Sequence, residues 1–240
     1  MINEFISFEV YFQMNENRLP IRGLLPVTLL MVLLLGCGGS QSIPDWTYAS
    51  FNQIEDFKKA YLEGKTGIAD LHFQRAVEET KKSGDLNLLA KLYLNRYAVQ
   101  VALLESFQDD DFLKIQSVEP DPANATFCAF LKGDFSHTDR SLLPPQYART
   151  VDDILAARKD SLAADARKIE DPLSRLVMMG LLVQYGYENE ELLTGAVETA
   201  SRQGWKKALL VYLNRLQAFY EQQREGVKAY KTKQRILLIQ

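Results

Sequence analysis

The sequence predicts an all-α protein built from antiparallel helical hairpins. Three observations carry that prediction: apolar residues recur every three or four positions, short Gly- or Asp-containing links separate the periodic runs, and one stretch of the chain repeats another. No run of alternating apolar and polar residues reads as a strand, and no Asn-Gly pair marks a hairpin. Of the 240 residues, 47% are hydrophobic and 25% charged, which is ordinary for a folded globular chain and excludes a fibrous or wholly disordered one. A formal net charge of −3 gives no support to nucleic-acid binding.

From the N-terminus, Gly23 to Cys37 runs without a charged side chain. This is too short for a bilayer span, which needs about 20 apolar residues, and it has the length of a signal-peptide core. Arg18 and Arg22 precede it and supply the positive flank, whereas Glu4 and Glu9 do not suit one, so Met14 is an alternative start. The run ends in Leu34-Leu35-Gly36-Cys37, which resembles the lipobox of bacterial lipoproteins. That resemblance implies removal of residues 1–36, diacylglycerol on the Cys37 thiol and anchorage in a bacterial envelope. Gly38, in place of an inner-membrane retention Asp, favours the outer membrane facing the periplasm. With Cys37 lipidated, Cys128 has no partner in the chain, so no internal disulfide is expected and a buried Cys128 is. Residues 37–50, small, polar and Pro-containing, read as a tether.

The predicted helices are 51–63, 66–83, 86–107, 147–169, 173–186, 188–203 and 205–224. Phe51, Ile54, Phe57 and Tyr61 give the first its apolar stripe. Gly64 and Gly67 bracket the next turn, Gly84-Asp85 ends one helix and caps another, Asp171-Pro172 opens a third, and Gly186 and Gly204 close two more. Residues 51–107 and 147–240 thus form two sets of hairpins. Between them, 108–146 is rich in Asp and Pro and reads as an irregular insertion.

The two sets are related. Ala76-Val77-Glu78, Gly84 and Tyr93-Leu94-Asn95-Arg96 return as Ala196-Val197-Glu198, Gly204 and Tyr212-Leu213-Asn214-Arg215, with the spacing to the last motif shorter by one residue. Phe73 corresponds to Leu193 and Ala60 to Gly180. Ala69, Phe73 and Ala76 also resemble the Ala-x3-Phe-x2-Ala of a tetratricopeptide repeat. The first helix lacks that family's Trp-x2-Leu-Gly-x2-Tyr pattern, and the second copy has Asn189 and Leu193 instead. The resemblance implies a tetratricopeptide-like array or α-α superhelix whose groove holds a protein partner. Asn95, Arg96, Asn214 and Arg215 are the candidate groove residues, the alternative being that they serve packing within the repeat.

Chemistry-bearing motifs are few. Glu105-Ser106 resembles the pair around the catalytic acid of lytic transglycosylases, but the Gly-Leu-Met-Gln-type signature of that family is absent. His72 and His137 are the only histidines and have no metal-ligand spacing, Cys128 and His137 lack an orienting motif, and Asp109-Asp110-Asp111 lacks the spacing of a calcium loop. No cofactor, metal or enzymatic activity is therefore expected. The basic tail, Arg224, Lys228, Lys231, Lys233 and Arg235 followed by Ile236 to Ile239, reads either as a capping helix or as an amphipathic end that touches a membrane or a partner. The functional expectation is a lipid-anchored envelope adaptor that assists assembly of a membrane complex. A cell-wall enzyme using Glu105 and a small-ligand-binding lipoprotein are the alternatives.

Overall fold

A computed structural model describes residues 45–240. Those residues form eleven α-helices: α1 Asp45–Glu63, α2 Thr66–Lys81, α3 Leu86–Ala102, α4 Asp110–Val118, α5 Pro122–Leu131, α6 Pro145–Leu155, α7 Leu162–Arg167, α8 Pro172–Gln184, α9 Glu190–Gln203, α10 Lys206–Gln222 and α11 Gly226–Ile239. No strand occurs among the described residues, and no helix there is long and apolar enough to cross a membrane. The expected signal peptide, Cys37 and most of the expected tether lie outside them.

Helix starts follow side-chain chemistry. Asp85, Asp121, Asp171 and Asn189 each accept a hydrogen bond from the backbone N–H three residues on, at 2.6–2.9 Å, and close the first turns of α3, α5, α8 and α9. Proline follows Asp121 and Asp171 at the first helical position, where its missing N–H costs nothing.

The structure corrects four expectations. Residues 108–146 are not irregular: they hold α4, α5 and a 3-10 turn at Phe135–His137, because Asp121-Pro122 starts α5 and Phe112, Ile115, Phe127 and Phe130 are buried. The predicted helix 147–169 breaks after Leu155, where Ala157 turns at φ 56° and Asp153 draws Arg158 and Ser161 back toward itself. The helix expected to reach 107 stops at Ala102, with Leu104 in the left-handed region at φ 59°. At the other end, α1 starts at Asp45 and takes in the last residues read as tether. Buried Ser50 anchors them through a hydrogen bond between its hydroxyl and the Thr80 hydroxyl of α2 at 2.6 Å.

The packing order explains the repeat. Helices α1, α2 and α3 correspond to α8, α9 and α10, and each set runs down, up and down through short links. The third helix of each set packs on the first helix of the other: α3 on α8, and α10 on α1. The array therefore returns on itself. Its centre is closely packed, with Phe57, Leu94, Met178, Met179, Leu181 and Tyr212 fully buried. Gly180 of α8 lies against the end of α3, so close that a methyl group there would run into the Val101 carbonyl oxygen. Around this ring, α4 and α5 cover α3, α6 and α7 pack together beside α8 and α9, and α11 covers α10.

Candidate functional site

The repeated Tyr-Leu-Asn-Arg motif lies on α3 and α10, and its polar residues are engaged within their own copies. Asn95 donates to the Lys91 carbonyl at 2.8 Å, and Asn214 donates to the Leu210 carbonyl at 2.7 Å. Arg96 sits 4.8 Å from the Phe73 ring centre and 3.6 Å from Asp70, and Arg215 pairs with Glu188. The two tyrosines differ. Tyr93 packs against Phe73 at 5.6 Å, whereas Tyr212 is fully buried and donates to the Ala102 carbonyl at 2.9 Å, with the Leu176 carbonyl at 3.4 Å. One residue fewer between Gly204 and Tyr212 than between Gly84 and Tyr93 rotates the motif by roughly 100° on its helix, enough to send the second ring to a different neighbour.

Glu105 falls at the seam between α1, α3 and α10. Its carboxylate accepts from the Tyr61 hydroxyl at 2.7 Å and pairs with Lys207 at 2.8 Å, while the Lys207 ammonium lies 4.1 Å from the Tyr61 ring centre. Burial, then the bond to Glu105, raises the Tyr61 pKa. Both carboxylate oxygens of Glu105 are thus engaged by residues of the fold itself, one by Tyr61 and the other by Lys207.

The other sequence candidates are dispersed. Cys128 is buried on α5, and burial pushes its thiol up to about 11, far from a nucleophile's range. His137 is exposed and bonded to Asp134 at 2.8 Å, and His72 is bonded to Gln53 at 2.8 Å. Asp109 pairs with Lys132, and Asp110 and Asp111 occupy the first turn of α4. Among the described residues no group of His, Cys, Asp and Glu could hold a metal ion. Buried Asp153 and Asp165 sit near each other between α6 and α7, faced by Arg158, Arg149 and Lys168. The Arg158 guanidinium holds Asp153 below the usual carboxylate range.

The feature with room for a ligand was not among the sequence candidates. A cleft of about 500 Å³ opens between α9, α10 and α11. Its floor is apolar, from Val197, Leu213 and Leu216, and its rim carries Arg202, Lys231 and Arg235. These three are exposed and make no ion pair among the described residues, while the one rim acid, Glu198, is paired with Arg167 at 2.9 Å. The repeat explains the surplus charge. In the first copy Lys82 stands where Arg202 stands and is paired with Glu79 at 2.6 Å; the second copy has Thr199 at the position of Glu79. That substitution was visible in the aligned copies. The contribution of α11 to the rim was not, because it requires α9 beside the final hairpin.

No protein-family model, curated protein or solved structure matches this chain.

Proposed function

We propose that the chain is a lipid-anchored adaptor of a bacterial envelope, attached through Cys37 to the periplasmic face of the outer membrane and binding a protein partner during assembly of a membrane complex. The supporting observation is the cleft between α9, α10 and α11, an apolar trough with three unpaired cations at its rim. An extended acidic segment with apolar side chains suits such a trough: the apolar groups fill the floor and the carboxylates meet Arg202, Lys231 and Arg235. Asn95, Arg96, Asn214 and Arg215 support this reading less than the notion of a groove ridge supposed, since each already has a partner in its own copy.

The wall-cleaving alternative finds little support at Glu105, whose two partners favour a fixed carboxylate. A small-ligand role draws on the same cleft, and would show as thermal stabilisation by an anionic ligand.

The test is site-specific photo-crosslinking in cells, with the probe at Thr194 inside the cleft and a control probe at Glu63 at the end of α1. Envelope protein joined at Thr194, absent from the control and lost when Arg202→Glu is added, is the expected result. Equal products from both positions would exclude the cleft as the binding site. Lipid labelling of the wild type, absent in Cys37→Ser, tests the anchor.

A further inference from the structure

Helix α11 has two apolar faces and needs only one of them for folding. Ala229, Thr232 and Ile236 are buried against the body. On the opposite side Val227 is 71% exposed, Tyr230 64%, Leu237 57% and Leu238 87%. At roughly 100° per residue these four fall in an arc of about 100°, a stripe along the helix that Gln234 alone interrupts midway. Lys231 and Arg235 border the stripe on one edge and Lys233 on the other. All three are exposed and make no ion pair among the described residues, and no acidic residue occurs from Gly226 to Gln240. The remaining cation, Lys228, is spent on the body, bonded to Glu190 at 2.9 Å and to Glu225 at 2.7 Å.

An apolar stripe with cations on both borders matches the layering of an anionic bilayer surface, with acyl chains below and phosphates at the level of the ammonium and guanidinium groups. A second copy of this chain fits it poorly, because pairing the stripes would bring two sets of free cations together with no acid between them. Docking on α10 also fixes the helix in advance, so no ordering of a coil opposes insertion.

We propose that the outer face of α11 is a membrane-contact surface, which lies on an anionic lipid headgroup layer with Val227, Tyr230, Leu237 and Leu238 immersed. The inference rests on the envelope reading only for the presence of a membrane. In the cell it supplies a second point of attachment, which holds the body flat on the surface instead of at the end of a tether.

The test uses the mature chain, residues 37–240 with Cys37→Ser, so that neither an acyl chain nor the apolar run before it takes part. In that background Leu238→Cys bears a polarity-sensitive fluorophore. Leu238 is largely exposed and Cys128 buried, so the label goes to the introduced thiol and its attachment removes no packing. With phosphatidylcholine vesicles containing phosphatidylglycerol, the probe's emission shifts to the blue; with phosphatidylcholine alone it does not. Lys233→Glu weakens the vesicle titration by about fivefold or more per unit of charge removed, and high salt does the same. No shift on any vesicle overturns the proposal, as does an equal shift on neutral vesicles. A shift that grows with protein concentration in the absence of lipid also overturns it and assigns the face to self-association. None of these outcomes bears on lipid labelling of Cys37 in the wild type, so the anchor and the α11 surface can fail separately.

Discussion

The seam where α3 meets α8 and the seam where α10 meets α1 join the same two copies of one repeat, yet they are built from different forces. At the first, Gly180 brings two backbones together and the Tyr212 hydroxyl donates to the Ala102 carbonyl. At the second, Gly64 at the end of α1 lies near the Lys207 side chain, whose ammonium rests over the Tyr61 ring and bonds Glu105. Close packing has little tolerance for added volume, whereas a partly exposed ion pair is adjustable and screened by salt. Duplication of a sequence thus does not duplicate the interaction that holds the copies together.

Gly180→Ala should break this comparison most strongly. The added methyl meets backbone, not a movable side chain, so unfolding by denaturant should show a loss of about 3 kcal/mol. Exchanging the equivalent Ala60 for Gly should cost no more than about 1 kcal/mol, the usual penalty for glycine in a helix. Next comes Tyr212→Phe, which leaves a buried carbonyl without its donor and should cost about 1–2 kcal/mol in the same measurement, while Tyr93→Phe should stay within about 0.5 kcal/mol. Lys207→Met and Glu105→Gln should each cost about 0.5–1 kcal/mol, with a coupling in a double-mutant cycle that shrinks as salt is added; a coupling unaffected by salt would show that the second seam is as buried as the first.

The smallest effect concerns the attachment of α11. Glu190 is held below the usual carboxylate range, because Lys228 and the Tyr220 hydroxyl bond its charged form. A depressed folded-state value means that the unfolded chain takes up the proton first. The contribution of this clamp is therefore complete above about pH 4.5, the ordinary value, and is lost as the pH falls through the folded one. Hydrogen exchange of the α11 amides should accelerate over that acidic range before exchange around Tyr212 does, and Glu190→Gln should remove the difference.

Most of the fold was legible because helix ends in this chain are written in few residues. Gly84, Asp85, Asp171-Pro172, Gly186 and Gly204 bound α2, α3, α8, α9 and α10 to within a few positions. The misses share a physical origin. Asp109 and Asp121-Pro122 suggest loop by composition, but an Asp before a Pro is also a strong helix start, and only the burial of Phe112 and Phe127 decides between the two. Leu104 and Ala157 adopt left-handed backbone without being glycine, so nothing local marks the ends of α3 and α6. The candidate site was half legible: Lys231 and Arg235 stood out as a basic tail, whereas the cleft they line also needs α9 beside that final hairpin, and Val197 and Arg202 are distant from the tail in sequence.

Stacked helical repeats face a termination problem, since each end of an open stack presents an apolar surface made to receive another unit, and such proteins ordinarily devote special units to covering it. With α10 brought back onto α1, each copy serves as the terminus of the other. Among the described residues the duplicated pair closes on itself, and α4, α5 and α11 cover the outer sides of its third helices.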